Sequence, residues 1–147
     1  MTNAQTTTNA AQVAVTDLPA MTAAEFKASR EYLGLSTKWI ADHLVVGERR
    51  LLRMEAGQES IPQVIIELMD EIHAETKQLF EQLSATYRRQ VKAASGAPVL
   101  LPTYLNDKAS KAAGQKFPSR WHRHVAARVA DSCPGAILTF FDEPEDV

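Results

Sequence analysis

Arg49 and Arg53 stand four residues apart in the run ERRLLRMEA, a spacing that puts two side chains on one face of a helix. A guanidinium fork donates two parallel hydrogen bonds that match the O6 and N7 acceptors of guanine. Two forks on a helix that fits the major groove could therefore read neighbouring bases. The plainer reading of the same residues is a solvated surface that they share with Glu48 and Glu55. Glu48 is open to two roles: its carboxylate can accept from cytosine N4, and in the first turn of a helix it also opposes the backbone dipole.

A second set of cations, Lys108, Lys111, Lys116, Arg120, Arg123 and Arg128 with His122 and His124, lies towards the C-terminus. It is either a further nucleic-acid surface or the exposed side of C-terminal helices. Trp121 among them would suit base stacking, but at helical spacing from Val125 it fits a core or interface position better. His122 and His124 are two apart and do not share a helix face, which argues against a metal site. No glycine-rich phosphate loop and no nucleophile elbow occurs, so neither an enzyme nor a cofactor is expected.

The chain has 147 residues, a formal net charge of −2 and 45% hydrophobic residues. That length allows one sizeable core, or one small domain with an appended element. The charge argues against coating nucleic acid by bulk attraction, so any such contact must be local. The single cysteine, Cys133, rules out an internal disulfide and suits packing as a small apolar side chain. Without a run of roughly 20 apolar residues or a signal-peptide layout, the expectation is a soluble, cytoplasmic protein with no membrane partner.

These side chains need elements to carry them. Residues 1–20, rich in Thr, Asn, Gln and Ala, read as a mobile tail. Thr22 and Glu25 form a capping box that starts a helix over 23–33, which Gly34 stops. Ser36 caps a second short helix with Ile40, Ala41 and Leu44 facing inwards, ending near Val45. Gly47 opens a third, with Leu51 and Met54 inside, and Gly57 closes it. From Pro62, in its first turn, to about Ala93 runs one long helix or two in tandem, its apolar face a candidate interface between copies. After the break at SGAP, VLLPTY reads as a strand, 107–113 as a helix, PSRWHRHVAARVADS as a helix capped at Ser119 or its neighbours, and AILTFF as a strand. DEPEDV reads as an acidic tail.

The stretch LGLSTKWIADHLVVGERRLLRMEAG resembles the helix-turn-helix of phage repressors and Cro proteins. Leu33, Gly34, Leu35 and Ser36 match the start of that motif, Ile40 and Ala41 its inner pair, Val46 its turn valine, and Glu55 with Gly57 its close. The resemblance implies an ion pair between Arg30 and Glu55, base-edge contacts from Glu48, Arg49 and Arg53, and phosphate contacts from Thr37, Lys38 and Arg50. Two positions depart from the pattern. Val45 stands at the usual turn glycine, so either that turn is strained or Gly47 takes over its conformation. Trp39 and Leu52 replace polar residues and could meet the long helix, a partner subunit or a thymine methyl. The rest of the chain resembles, in architecture, the dimerising part of small phage and bacterial regulators that include anti-CRISPR-associated repressors.

The fold implied is mainly α, α+β overall. A helix-turn-helix bundle spans 21–61, a long connecting helix 62–94, and a small α+β dimerisation unit 95–147. The implied function is a DNA-binding transcriptional repressor, a homodimer on a palindromic operator in double-stranded DNA. Two alternatives remain open: an antitoxin-type autoregulator that holds a toxin partner, and a protein-interaction module that no longer binds DNA.

Overall fold

The computed structural model describes residues 17–141. The expected N-terminal tail lies largely outside them, and so does DEPEDV. Six helices and two strands follow in the order α1 (Ala23–Tyr32), α2 (Thr37–Leu44), α3 (Glu48–Glu55), α4 (Gln63–Ala94), β1 (Val99–Thr103), α5 (Asp107–Ala112), α6 (Ser119–Ser132) and β2 (Ala136–Phe140). The fold is mainly α with one small parallel sheet. None of the described helices is long and apolar enough to cross a membrane.

Local chemistry accounts for most of the helix ends. Thr22 and Glu25 make both bonds of a capping box at the start of α1, and Ser36 accepts from the Trp39 N–H at the start of α2. At the end of α1 the Leu35 N–H reaches back to the Arg30 carbonyl across Gly34, whose φ is +70°. This is a Schellman turn, which needs one residue in the left-handed region. Gly34 is also required sterically, since a Cβ there would lie 2.9 Å from the Arg120 carbonyl group on α6.

The end of α2 resolves the alternative posed by Val45. Val45 itself takes φ 56° and ψ 48°, with the Val46 N–H bonded to the Ala41 carbonyl, while Gly47 is an ordinary extended N-cap at φ −70°. A β-branched residue in the left-handed region costs about 1–2 kcal/mol, and Val45 recovers nothing by packing because it is 89% exposed.

One expected boundary shifts, and another falls within its stated alternatives. Pro62 precedes α4 as its N-cap rather than sitting in the first turn. Of Ser119 and its neighbours, Pro118 is the N-cap of α6, and neither it nor Ser119 caps with its own side chain. Asp107 Oδ1 instead accepts from the Ser119 N–H at 2.9 Å and its hydroxyl at 2.8 Å, and these bonds hold the Asp107 carboxyl below the ordinary carboxylate range.

The segment 63–94 is one continuous helix, about 48 Å long at 1.5 Å per residue. Ile65, Leu68, Met69, Ile72 and Thr76 form its buried stripe, which packs on α6 of the same chain and into the common core. The α4 face that looked like an interface between copies is therefore largely spent inside the monomer. One hydrophobic cluster runs from Phe26, Leu33 and Ile40 through Leu51 and Met69 to Leu101, Val125 and Val129. It crosses both expected domain boundaries.

β1 and β2 pair in parallel, with Leu100 opposite Ile137 and Leu101 opposite Leu138. Parallel pairing demands a crossover, which α5 and α6 supply. The turn into β2 is tight: a Cβ on Gly135, at φ +104°, would meet Val91 Cγ1 at 2.9 Å.

Candidate nucleic-acid interface

The eight residues of α3 divide cleanly. Leu51 and Met54 are buried, while Glu48, Arg49, Arg50, Leu52 and Arg53 are exposed. The inner side is locked to α1 by Arg30, whose Nε donates to Glu55 Oε1 at 2.8 Å and whose Nη1 donates to the Leu35 carbonyl at 3.0 Å. These are the two residues that the resemblance pairs. The Glu55 side chain is only 7% exposed, so the bond works at low local dielectric and sets the roll of α3 about its axis.

On the outer side most of the cations have partners. Arg50 Nε lies 2.6 Å from Glu59 Oε1 and Arg53 Nε lies 3.4 Å from Glu59 Oε2. Lys38 pairs with Asp42 at 3.0 Å. The Thr37 hydroxyl donates to Glu48 Oε1 at 2.8 Å, which ties the first turn of α2 to the first turn of α3. Arg49 alone among the expected base- and phosphate-contacting residues has no hydrogen bond or ion pair among the described residues. The structure thus brings Arg50 and Arg53 together, whereas the sequence grouped Arg49 with Arg53.

Glu59 carries no signal in the sequence. It reaches α3 because Gly57, at φ +76°, reverses the chain, with the Gln58 N–H bonded to the Arg53 carbonyl at 2.9 Å. Its carboxyl is held below the ordinary range first by the hydrogen bond from Arg50. The group stays an anion at neutral pH, yet as an exposed pair it is readily exchanged for another anion.

Of the contacts weighed for Trp39, the long helix is the one at hand: Trp39 and His43 line a small hollow with Leu68, Ile72 and Glu75 of α4. Its ring stacks on His43 at 5.0 Å and leans on Phe117, just ahead of α6, at 5.6 Å. It therefore joins α2 to the C-terminal elements of its own chain. Leu52 stays exposed beside the arginines.

The C-terminal cations are divided differently. Trp121 is buried, packs on Phe117 at 4.2 Å and donates its indole N–H to Thr76 Oγ1 at 2.8 Å. Arg123 Nη1 donates to the Tyr104 and Leu105 carbonyls. His122 Nδ1 shares a 2.6 Å hydrogen bond with Thr103 Oγ1. His124 Nδ1 donates to the Tyr32 carbonyl at 2.9 Å, so its proton sits on that nitrogen. Burial lowers the pKa of both histidines, and Arg120 and Arg123 lower that of His124 further. Lys108, Lys111 and Arg120 remain exposed. Cys133 is buried at the end of α6. Among the described residues no group of three histidine, cysteine or carboxylate side chains could hold a metal ion.

What α3 offers chemically is a short, rigid helix with guanidinium groups on its open side. Its cations are balanced by one exchangeable carboxylate and its roll is fixed from behind. No protein-family model matches the chain, and no curated protein matches it either.

Proposed function

We propose that the chain is a sequence-specific DNA-binding transcriptional regulator, a repressor that acts as a homodimer on an inverted-repeat operator. The observation that carries this reading is the division of α3: Leu51, Met54 and the Arg30–Glu55 bond anchor one side, while Arg49, Arg50 and Arg53 stand open on the other. On this reading α2 and α3 form a helix-turn-helix whose second helix enters the major groove. Arg49 and Arg53 read base edges, and Arg50, Thr37 and Lys38 meet the backbone. DNA phosphates or guanine acceptors then replace Glu59 on Arg50 and Arg53.

One such helix covers only a few base pairs, so affinity requires a second copy about 34 Å away. With much of α4 packed on α6, the open apolar side chains that share one element of structure are those of the sheet: Leu100 on β1, Ile137 and Leu138 on β2, and Phe141 next to it. The Val99 N–H and the Thr103 carbonyl bond across the ladder. By alternation Leu100 and Pro102 face the outer edge of β1, where proline removes a donor. The other edge, AILTF, has neither proline nor charge, and a strand of that kind pairs readily with its own two-fold copy.

Selection of bound duplexes from a random library at near-physiological salt tests the proposal. A two-fold symmetric motif with half-sites about one helical turn apart is the expected result. Absence of any enriched motif would overturn it. The exposed Leu52 and Val45 beside α3 favour a protein-interaction module as the second reading, and a partner retained by the chain in place of DNA would support that instead.

A further inference from the structure

Between α1, α4 and α6 lies a cavity of about 390 Å³, lined by Tyr32, His73, Thr76, Lys77, Phe80 and Arg128. This volume falls in the range of small-molecule sites. The walls are largely aromatic: the Tyr32 and His73 rings stack at 6.4 Å, and the Arg128 guanidinium lies over Tyr32 at 4.4 Å and near Phe80 at 5.7 Å. Thr76 is already committed, because its hydroxyl donates to the Ile72 carbonyl and accepts from Trp121.

Arg128 is the anomaly. Its Nε donates to the His124 carbonyl at 3.3 Å, but Nη2 is buried with no hydrogen-bond partner among the described residues. A buried donor without an acceptor is costly, and more so when it belongs to a charged group. Burial also pulls the Arg128 pKa below the ordinary guanidinium range. None of the six lining residues is acidic, whereas two, Arg128 and Lys77, are cationic. The cavity therefore has an excess of positive charge, a guanidinium whose hydrogen bonding the fold leaves incomplete, and largely apolar walls.

We propose that this cavity binds a small organic carboxylate with a flat apolar body. The carboxylate pairs with the Arg128 guanidinium where it borders the cavity, and the body lies against Tyr32, His73 and Phe80. A carboxylate fits better than a phosphate dianion, because a single planar guanidinium among aromatic walls matches one delocalised charge and offers little to solvate a second. The site is separate from the outer face of α3 and does not rest on DNA binding.

Calorimetric titration of the full chain with benzoate, without DNA, tests the site, with benzyl alcohol and inorganic phosphate as comparisons. Saturable one-to-one binding of benzoate is expected, with shifts of the His73 ring and Arg128 Nε resonances. Benzyl alcohol should bind at least about tenfold more weakly, a difference that reads the charge alone. Arg128→Met, which keeps the stem but loses the charge, should bring benzoate down to the level of the alcohol. Should that variant fail to fold, the pair of ligands on the unmodified protein still decides. Equal binding of alcohol and benzoate would reduce the cavity to an apolar hole. Phosphate displacing benzoate at similar concentration would make it a general anion site. No saturable benzoate binding would remove it. Each of these three results overturns the proposal.

Discussion

Two regions of this molecule carry similar cationic sequences and spend them differently. On α3, Arg50 and Arg53 share Glu59, a side chain that is 28% exposed and bonded to nothing deeper, and Arg49 is unpaired among the described residues. On α6, Arg123 is bonded to two backbone carbonyls, Arg128 lies on aromatic rings, and both histidines are hydrogen-bonded within the fold. The first set is held by contacts that an incoming anion can replace. The second is held by backbone carbonyls and ring faces that belong to the fold itself. A count of positive residues therefore says nothing about which surface is available, because availability depends on what each guanidinium already holds.

The largest expected effect comes from α6. Trp121→Ala removes a buried ring from Phe117 and leaves Thr76 without its donor, and should cost about 3–5 kcal/mol of unfolding free energy by chemical denaturation. If the folded protein lost little stability, the claim that this region is structural would fail. On α3 the reverse is expected. Arg49→Ala should weaken specific DNA binding by about 1–3 kcal/mol while stability moves by less than about 0.5 kcal/mol. Glu59→Gln should tighten DNA binding several-fold in the same assay, since the competing carboxylate charge is gone. Tightening without a change in base preference would mark Arg50 and Arg53 as backbone contacts.

Smaller effects sharpen the contrast. Val45→Gly relieves a left-handed β-branched residue with no packing to lose. Set against the greater freedom of glycine when unfolded, it should stabilise by about 0.5–1 kcal/mol. A fall in melting temperature would show that Val45 contributes something beyond its backbone. The smallest effect is in pH. His122 and His124 have folded-state pKa values below the ordinary 6.5, so the unfolded chain binds more protons as pH falls. Their contribution is present above 6.5 and is lost on acidification through their folded values. His122→Gln should flatten that slope, and denaturation midpoints across the range read it directly.

How much of this was legible beforehand follows from distance along the chain. The capping box at Thr22 and Glu25, the Ser36 cap, the stop at Gly34 and the inward Leu51 and Met54 all depend on neighbours within about four residues. The strained turn at Val45 was visible as a choice between two residues, and only the backbone of the folded chain settled it. The α4 stripe was visible too, but an apolar stripe does not say whether its cover is another copy or the same chain. Here it is α6.

Composition and spacing by themselves determined a mainly helical chain with these elements in this order, because caps, breakers and periodicity act locally on the backbone. Tertiary structure alone decided what the charged and aromatic side chains do. Asp107 caps a helix 12 residues away, Trp121 finds Thr76 across 45, and His124 meets the Tyr32 carbonyl across 92. Glu59 lies only six residues from Arg53 but reaches it through the reversal at Gly57. Such partners are chosen by which surfaces the common core brings together, and that choice is a property of the whole packed chain rather than of any window in it.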